Sequence, residues 1–202
     1  MAGPSPADAA EDLQTRADTR QRLIDVAVDL FTRFSFAGTS LQMIADELGF
    51  TKAAIYHHFR TREQLLDAVV APMLEQLTVV IDAAEQLRGI HARADYLLTG
   101  YAQLAVDNRV VSVLAADPSV AQMLRTHREW DALIERQMAL LVALEPGPAG
   151  MVKAAVALAG IAGASGPTFV NLDRDALREH LVDASRRALG LRTPRRGPSA
   201  KS

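Results

Sequence analysis

The sequence predicts an all-α fold of about nine helices, with an N-terminal three-helix domain that contains a helix-turn-helix and a C-terminal helical domain. Three observations carry this. Thirty-five of the 202 residues are alanine while aromatic residues make up only 5%. Apolar residues recur at three-to-four spacing almost throughout, the period of one helix face. No segment alternates β-branched and polar residues as a half-buried strand would.

Residues 1–18 are expected to be a disordered tail, because apart from Met1 and Leu13 they hold no large apolar side chain. A first helix is expected from Thr19 to Phe34, with Leu23, Ala27, Leu30, Phe31 and Phe34 as its inward stripe and Gly38 after its end. Thr39 or Ser40 then caps a short helix carrying Leu41, Ile44, Ala45 and Leu48, and Thr39 with Gln42 fits the capping-box spacing. Gly49 stops that helix, and Thr51 caps a third one over Lys52 to His58. Two such short helices joined by a glycine turn make a helix-turn-helix.

A long helix follows from Thr61 to about Glu85, with Leu65, Leu66, Val69, Met73, Leu77 and Val80 on one side. Pro72 lies inside it and lacks an N–H, which predicts a kink. Further helices are expected over Ala92 to Val106, Pro118 to Arg125, Arg128 to Leu144, Ala149 to Ala164 and Arg174 to Leu189, punctuated by Asp117-Pro118, Pro146-Gly147-Pro148, Asp173 and Gly190. Residues 193–202 are Pro/Arg/Gly/Ser-rich and read as a second disordered tail. The expected domains are therefore 19–62 and 63–192.

Composition removes several functions. The chain has no cysteine, so disulfides, a thiol nucleophile and cysteine-ligated metals are excluded. The paired His57 and His58 lack the i, i+4 spacing of a helical zinc site, and His91, His127 and His180 stand apart in sequence. No phosphate-cradling glycine motif occurs, so neither a nucleotide cofactor nor a metal is expected. The segment Gly163-Ala164-Ser165-Gly166-Pro167 lacks the closing glycine of a nucleophile elbow and sits in helical context, and the chain is expected not to be an enzyme. With no uninterrupted run of 18 apolar residues and no signal pattern at Met1 to Gln14, a soluble cytoplasmic protein without membrane partners is expected. The net charge is −2, so any nucleic-acid contact must be local.

Such a local surface is legible between Thr39 and Leu66, which read TSLQMIADELGFTKAAIYHHFRTREQLL. The T-S pair, I-A-x-x-L-G-F-T-K, I-Y-x-H-F and F-x-T-R-E-x-L follow one another here at fixed spacing, and together they resemble the DNA-binding signature of the tetracycline-repressor (TetR) family of transcriptional regulators. The resemblance implies a ligand-responsive repressor that leaves a palindromic double-stranded DNA operator when a small-molecule effector binds. It also implies a homodimer.

Physical chemistry assigns roles to these residues. Hydroxyls and N–H groups at helix starts can donate to phosphate, which nominates Thr39, Ser40 and Thr51. Lys52 adds a cation, Tyr56 and His57 sit at the exposed end of the recognition helix, and Arg62 offers a bidentate phosphate donor at a position where the family usually has lysine. Ala53 and Ala54 are small enough for close approach, and Ala53 is nominated to touch the groove. His58 reads as structural, beside Phe59. No Asn, Gln or Arg faces outward from this short helix, so strong base discrimination is not expected from it. Residues 16–62 carry seven basic and five acidic side chains. Affinity should therefore depend on dimerisation.

The resemblance places the dimer interface on the last two helices, and Ala155, Ala159, Gly163 with Leu177, Leu181, Ala184 and Ala188 form two stripes suited to a four-helix contact. It also implies a pocket among the central helices, for which Tyr96, Leu97, Tyr101, Leu104, Met123, His127, Trp130, Ile134 and Phe169 are the candidates. Their few charges point to a mostly apolar effector.

Overall fold

The structure is a computed structural model that describes residues 6–109, 111, 114, 117–124, 128–166, 169 and 171–191, and for 6–13, 118, 121 and 128 the backbone alone. Among these residues the fold is all-α, with α1 (Pro6–Gly38), α2 (Leu41–Glu47), α3 (Lys52–His58), α4 (Arg62–Gln86), α5 (Ile90–Asp107), α6 (Pro118–Leu124), α7 (Arg128–Val142), α8 (Pro148–Ala164) and α9 (Arg174–Ala188). Two compact units result, Met1–Pro72 and Met73–Ser202. The first unit thus reaches past the expected boundary at Arg62, because Leu65, Leu66, Val69 and Val70 of α4 are buried while the core of the second unit begins at Leu77.

In the first unit α1 starts at Pro6, not at Thr19, so residues 6–18 are helical and not a tail. Alanines with the highest helix propensity, Pro6 in the first turn and acidic Asp8 and Glu11 near the N-terminus account for the extension without large apolar residues. Regular geometry breaks at Ser35, which has φ 65° and ψ 165°. The break swings Phe36 into the core, edge-on to Phe31 at 5.2 Å, and leaves Phe34 46% exposed beneath the Arg33 guanidinium instead of in the inward stripe. Leu23, Ala27, Leu30 and Phe31 are buried as expected.

Ser40 is the cap of α2, its Oγ accepting from the Met43 N–H at 3.2 Å. Gly49, at φ 67°, lets the Phe50 N–H return to the Ala45 carbonyl and its own N–H to that of Asp46, a left-handed stop that side chains with a Cβ rarely adopt. Thr51 caps α3 through the Ala54 N–H, and Ile55 and Phe59 anchor that helix in the core. The helix α4 runs unbroken through Pro72. It is apolar enough over its length to cross a membrane, and its buried Leu65, Leu66, Val69, Val70, Met73, Leu77 and Ile81 account for that apolarity as core.

In the second unit α9 packs on α8 and α5, and α7 packs on the same two helices. The core draws Leu97, Leu98, Leu104, Leu133, Leu141, Ile161, Leu177 and Leu181 together. Gly150 lies where a Cβ would stand 1.7 Å from the Glu145 carbonyl, so the entry to α8 admits only glycine. Arg136 forks to Glu85 and Asp82 at 2.6–2.9 Å, and Arg186 takes Asp95 in a bidentate pair. The tail at 193–202 lies outside the described residues.

Candidate nucleic-acid interface

The turn between α2 and α3 fixes which side chains of α3 reach solvent. With Ile55 pointing inward, Lys52, Ala53, Tyr56 and His57 form the exposed face, Tyr56 being 43% exposed. Lys52 lies over the Tyr56 ring at 5.8 Å. A groove of about 440 Å³ gathers Ser40 and Gln42 at the start of α2, Lys52 and Tyr56 of α3, and Arg60, Thr61, Arg62 and Glu63 at the start of α4, the Glu63 carboxylate accepting from Arg62 Nε at 3.2 Å. Five sequence-nominated residues, Thr39, Ser40, Lys52, Tyr56 and Arg62, line this one groove. Hydroxyl, ammonium, phenol and guanidinium donors converging on one concavity have the chemistry to hold an anion such as a backbone phosphate.

Two of the nominated residues have other engagements. Thr39 is only 1% exposed, and its hydroxyl is shared between the Leu30 and Ser35 carbonyls at 3.2 and 2.9 Å, so it is a latch on α1 and neither the helix cap nor a phosphate donor. Gln42 completes no capping box, because its amide donates to Asp46. Arg62 directs Nη1 at the carbonyls of Phe36, Ala37 and Thr39 at 3.0–3.3 Å and stacks over the Phe36 ring at 4.8 Å. That nitrogen caps the end of α1, satisfying carbonyls freed by the break at Ser35. Thr51 and Ala53 are exposed as expected. Arg60, exposed at the rim, had no signal in the sequence beyond its charge, since only the fold brings the start of α4 beside α2.

His57 opens instead on a second groove, lined by Arg16, Ala17 and Arg20 of α1 with Ala54, His57 and His58 of α3. The His58 imidazole is held below its ordinary value by partial desolvation and by the positive charges of His57, Arg20 and Arg16. Arg20 is stacked over Phe59 at 5.0 Å.

The other nominated sets divide. Ala155, Ala159 and Gly163 lie on an exposed face of α8 together with Met151, Val152 and Val156, and a Cβ at Gly163 would meet nothing within 4 Å. Leu177 and Leu181 are core residues of their own unit and are not part of an outer stripe, while Ala184 is exposed and Ala188 half-buried. Amphipathicity marks a buried face without saying whose surface buries it. Among the effector candidates, Leu97 and Leu104 are core, Tyr101 packs against the core with its phenol pushed up to about 12 by burial, and Met123 and Trp130 are half-buried. Tyr96, Ile134 and Phe169 are exposed, so these three do not share an interior site with the rest. His127 lies outside the described residues. The sequence reading missed Gln137 of α7, which is 4% exposed and whose buried Nε2 has no hydrogen-bond partner among the described residues.

Residues 23–69 match the family model described as bacterial regulatory proteins, tetR family. The HTH-type transcriptional repressor KstR2 of Rhodococcus jostii is 32% identical over 74 residues, 37% of this chain and 35% of that protein. The HTH-type nicotine-responsive transcriptional repressor HdnoR of Paenarthrobacter nicotinovorans is 34% identical over 94 residues, 45% of this chain and 47% of that protein. These matches therefore span less than half the length of either relative. A crystal structure of a TetR/AcrR-family transcriptional regulator from Thermobifida fusca superposes with a TM-score of 0.55 at 25% identity, covering 83% of this chain and 96% of that one. The helix-turn-helix lies inside the segment that matches the tetR family of bacterial regulatory proteins, and the all-α architecture is shared with that regulator.

Proposed function

We propose that the protein is a cytoplasmic, non-enzymatic transcriptional repressor that binds a palindromic DNA operator as a homodimer and is released by a small, mostly apolar effector. The observation that carries this reading is the groove that joins Ser40, Lys52, Tyr56 and Arg62 beside the exposed face of α3. Phosphate held there would position Ala53, Tyr56 and His57 in the major groove, with Thr51 at the helix start. One helix of seven residues reads few base pairs, so a dimer is needed for a specific site. The exposed apolar stripe of α8, with Ala155, Ala159 and Gly163 at its centre and Ala184 and Ala188 of α9 beside it, supports a contact between copies.

The effector half of the reading is supported by HdnoR, whose name states that it is nicotine-responsive. In this chain the residues proposed to meet an effector are Leu97, Tyr101, Leu104, Met123 and Trp130. Signal passes through α4, the helix shared by both units, and Pro72 supplies a point in it where bending breaks no N–H bond. The test is selection of bound fragments from genomic DNA. Enrichment of a common palindrome, whose binding weakens with an apolar compound that raises the melting temperature, supports the proposal. Failure to enrich any sequence overturns it.

A further inference from the structure

We propose that the groove between α1 and α3, formed by Arg16, Arg20, His57 and His58 over a floor of Ala17 and Ala54, is a second DNA-backbone site that holds a phosphodiester on the strand opposite the one held beside Lys52 and Tyr56. This rests on the DNA-binding reading above. The groove encloses about 530 Å³, and among the described residues none that lines it is acidic. Two arginines and two imidazoles meet there at spacings set by the helices, Arg16 and Arg20 one turn apart on α1, His57 and His58 three and four residues beyond Ala54 on α3. The two alanines open the space that larger side chains would fill. Stacking on Phe59 fixes the direction of Arg20. Groups of one sign brought together this way repel one another, and the lowered basicity of His58 registers first its partial desolvation and then that repulsion. A bound anion reverses it.

The position of the groove says which anion. At about 100° per residue around α3, Lys52 and Tyr56 lie about 40° apart, whereas Ala54, His57 and His58 cluster on the other flank. The exposed ridge of Ala53, Tyr56 and His57 runs between the two grooves. A helix seated in a major groove has one phosphate strand along each flank. The two concavities match those two strands. The early start of α1 at Pro6 has the consequence that Arg16 projects from a formed helix and not from a tail.

The test compares the full-length wild type with Arg16→Gln and Arg16→Lys, measuring affinity for a selected operator and for an unrelated duplex from 50 to 200 mM salt. Arg16 is exposed, so its replacement leaves the core intact. Loss of one phosphate contact lowers the slope of log affinity against log salt by about 0.9, so the wild-type advantage over Arg16→Gln shrinks about 3.5-fold across that range. Arg16→Lys keeps the slope, and Arg16→Gln weakens both duplexes alike. In the wild type, addition of duplex raises the pH midpoint of the His58 imidazole signal, whereas inorganic phosphate at the same phosphate concentration leaves it unmoved. An unchanged slope in Arg16→Gln, with the wild type binding DNA normally, overturns the second site and leaves the regulator reading in place. An equal response of His58 to free phosphate reassigns the groove to small anions and overturns the proposal. A wild type that binds neither duplex overturns the DNA-binding reading itself, and this proposal with it.

Discussion

At Ser35 the backbone occupies a region that costs a residue with a Cβ about 1–3 kcal/mol, and the side chain returns part of this by accepting the Gly38 N–H at 3.2 Å. Ser35→Gly should therefore be more stable than Ser35→Ala by about 1 kcal/mol, since alanine keeps the strain and loses the acceptor. Thermal melts in which the alanine variant equals or exceeds the glycine variant would contradict this. Arg62 serves the same junction. Arg62→Ala frees carbonyls at the end of α1 and removes the stack on Phe36, and a loss of about 2 kcal/mol or more in chemical denaturation is expected, beyond any effect on DNA. Sequence spacing finds Arg62 at the start of α4 but cannot show that its Nη1 turns inward, because the acceptors arise only once α1 has broken at Ser35. Thr39 was ambiguous for the same reason: adjacent hydroxyls at Thr39 and Ser40 both fit a cap, and the Leu30 carbonyl decides between them. For His58 the lowered folded value means that the folded state favours the neutral ring. Its contribution to stability is present above about 6.5 and is lost as pH falls through that value toward the lower folded one. Operator affinity should move the opposite way and rise over that interval, because a phosphate favours the charged ring, and His58→Gln should flatten both profiles.

At the scale of elements, the helices of the structure follow the sequence closely where a cap or stop residue marks them: Ser40, Gly49, Thr51, Asp173 and Gly190 all sit at the expected ends. The start of α1 was not legible, because helicity there comes from propensity and leaves no apolar stripe. Burial was legible as a periodic pattern, but its partner was not. Leu177 and Leu181 repeat every four residues whether they meet their own core or a second subunit, and the structure gives them to the former. The outer face of α8 is the part of the predicted interface that stays open. Gly163→Leu is a clean probe of it, since a Cβ there meets no described atom within 4 Å. Sedimentation should show a shift from dimer to monomer, with an overpacking cost of about 1–3 kcal/mol per site and no drop in helicity. A dimer of undiminished affinity would place the contact elsewhere.

For the whole molecule, the reading requires the two units to communicate through α4, and the coupling must be reciprocal: an effector that weakens operator binding 5- to 150-fold, a coupling of about 1–3 kcal/mol, is itself bound that much more weakly by the protein on its operator. Pro72→Ala should change this coupling while leaving effector affinity without DNA nearly unchanged. The family match and the surface proposed to face DNA lie in one continuous stretch of sequence because a helix-turn-helix is built from neighbours in the chain. The effector site was not, because it would be assembled from α5, α6 and α7 by packing, and the buried amide of Gln137 has no sequence mark to set it apart from an exposed glutamine. In the proposed complex two copies place two α3 helices in successive major grooves. The most direct measurement is footprinting of the selected operator combined with the mass of the complex in solution. Two protomers bound to one duplex, with protection of two symmetric half-sites about 34–36 Å apart, are expected; one protomer per duplex, or protection without two-fold symmetry, rules that complex out.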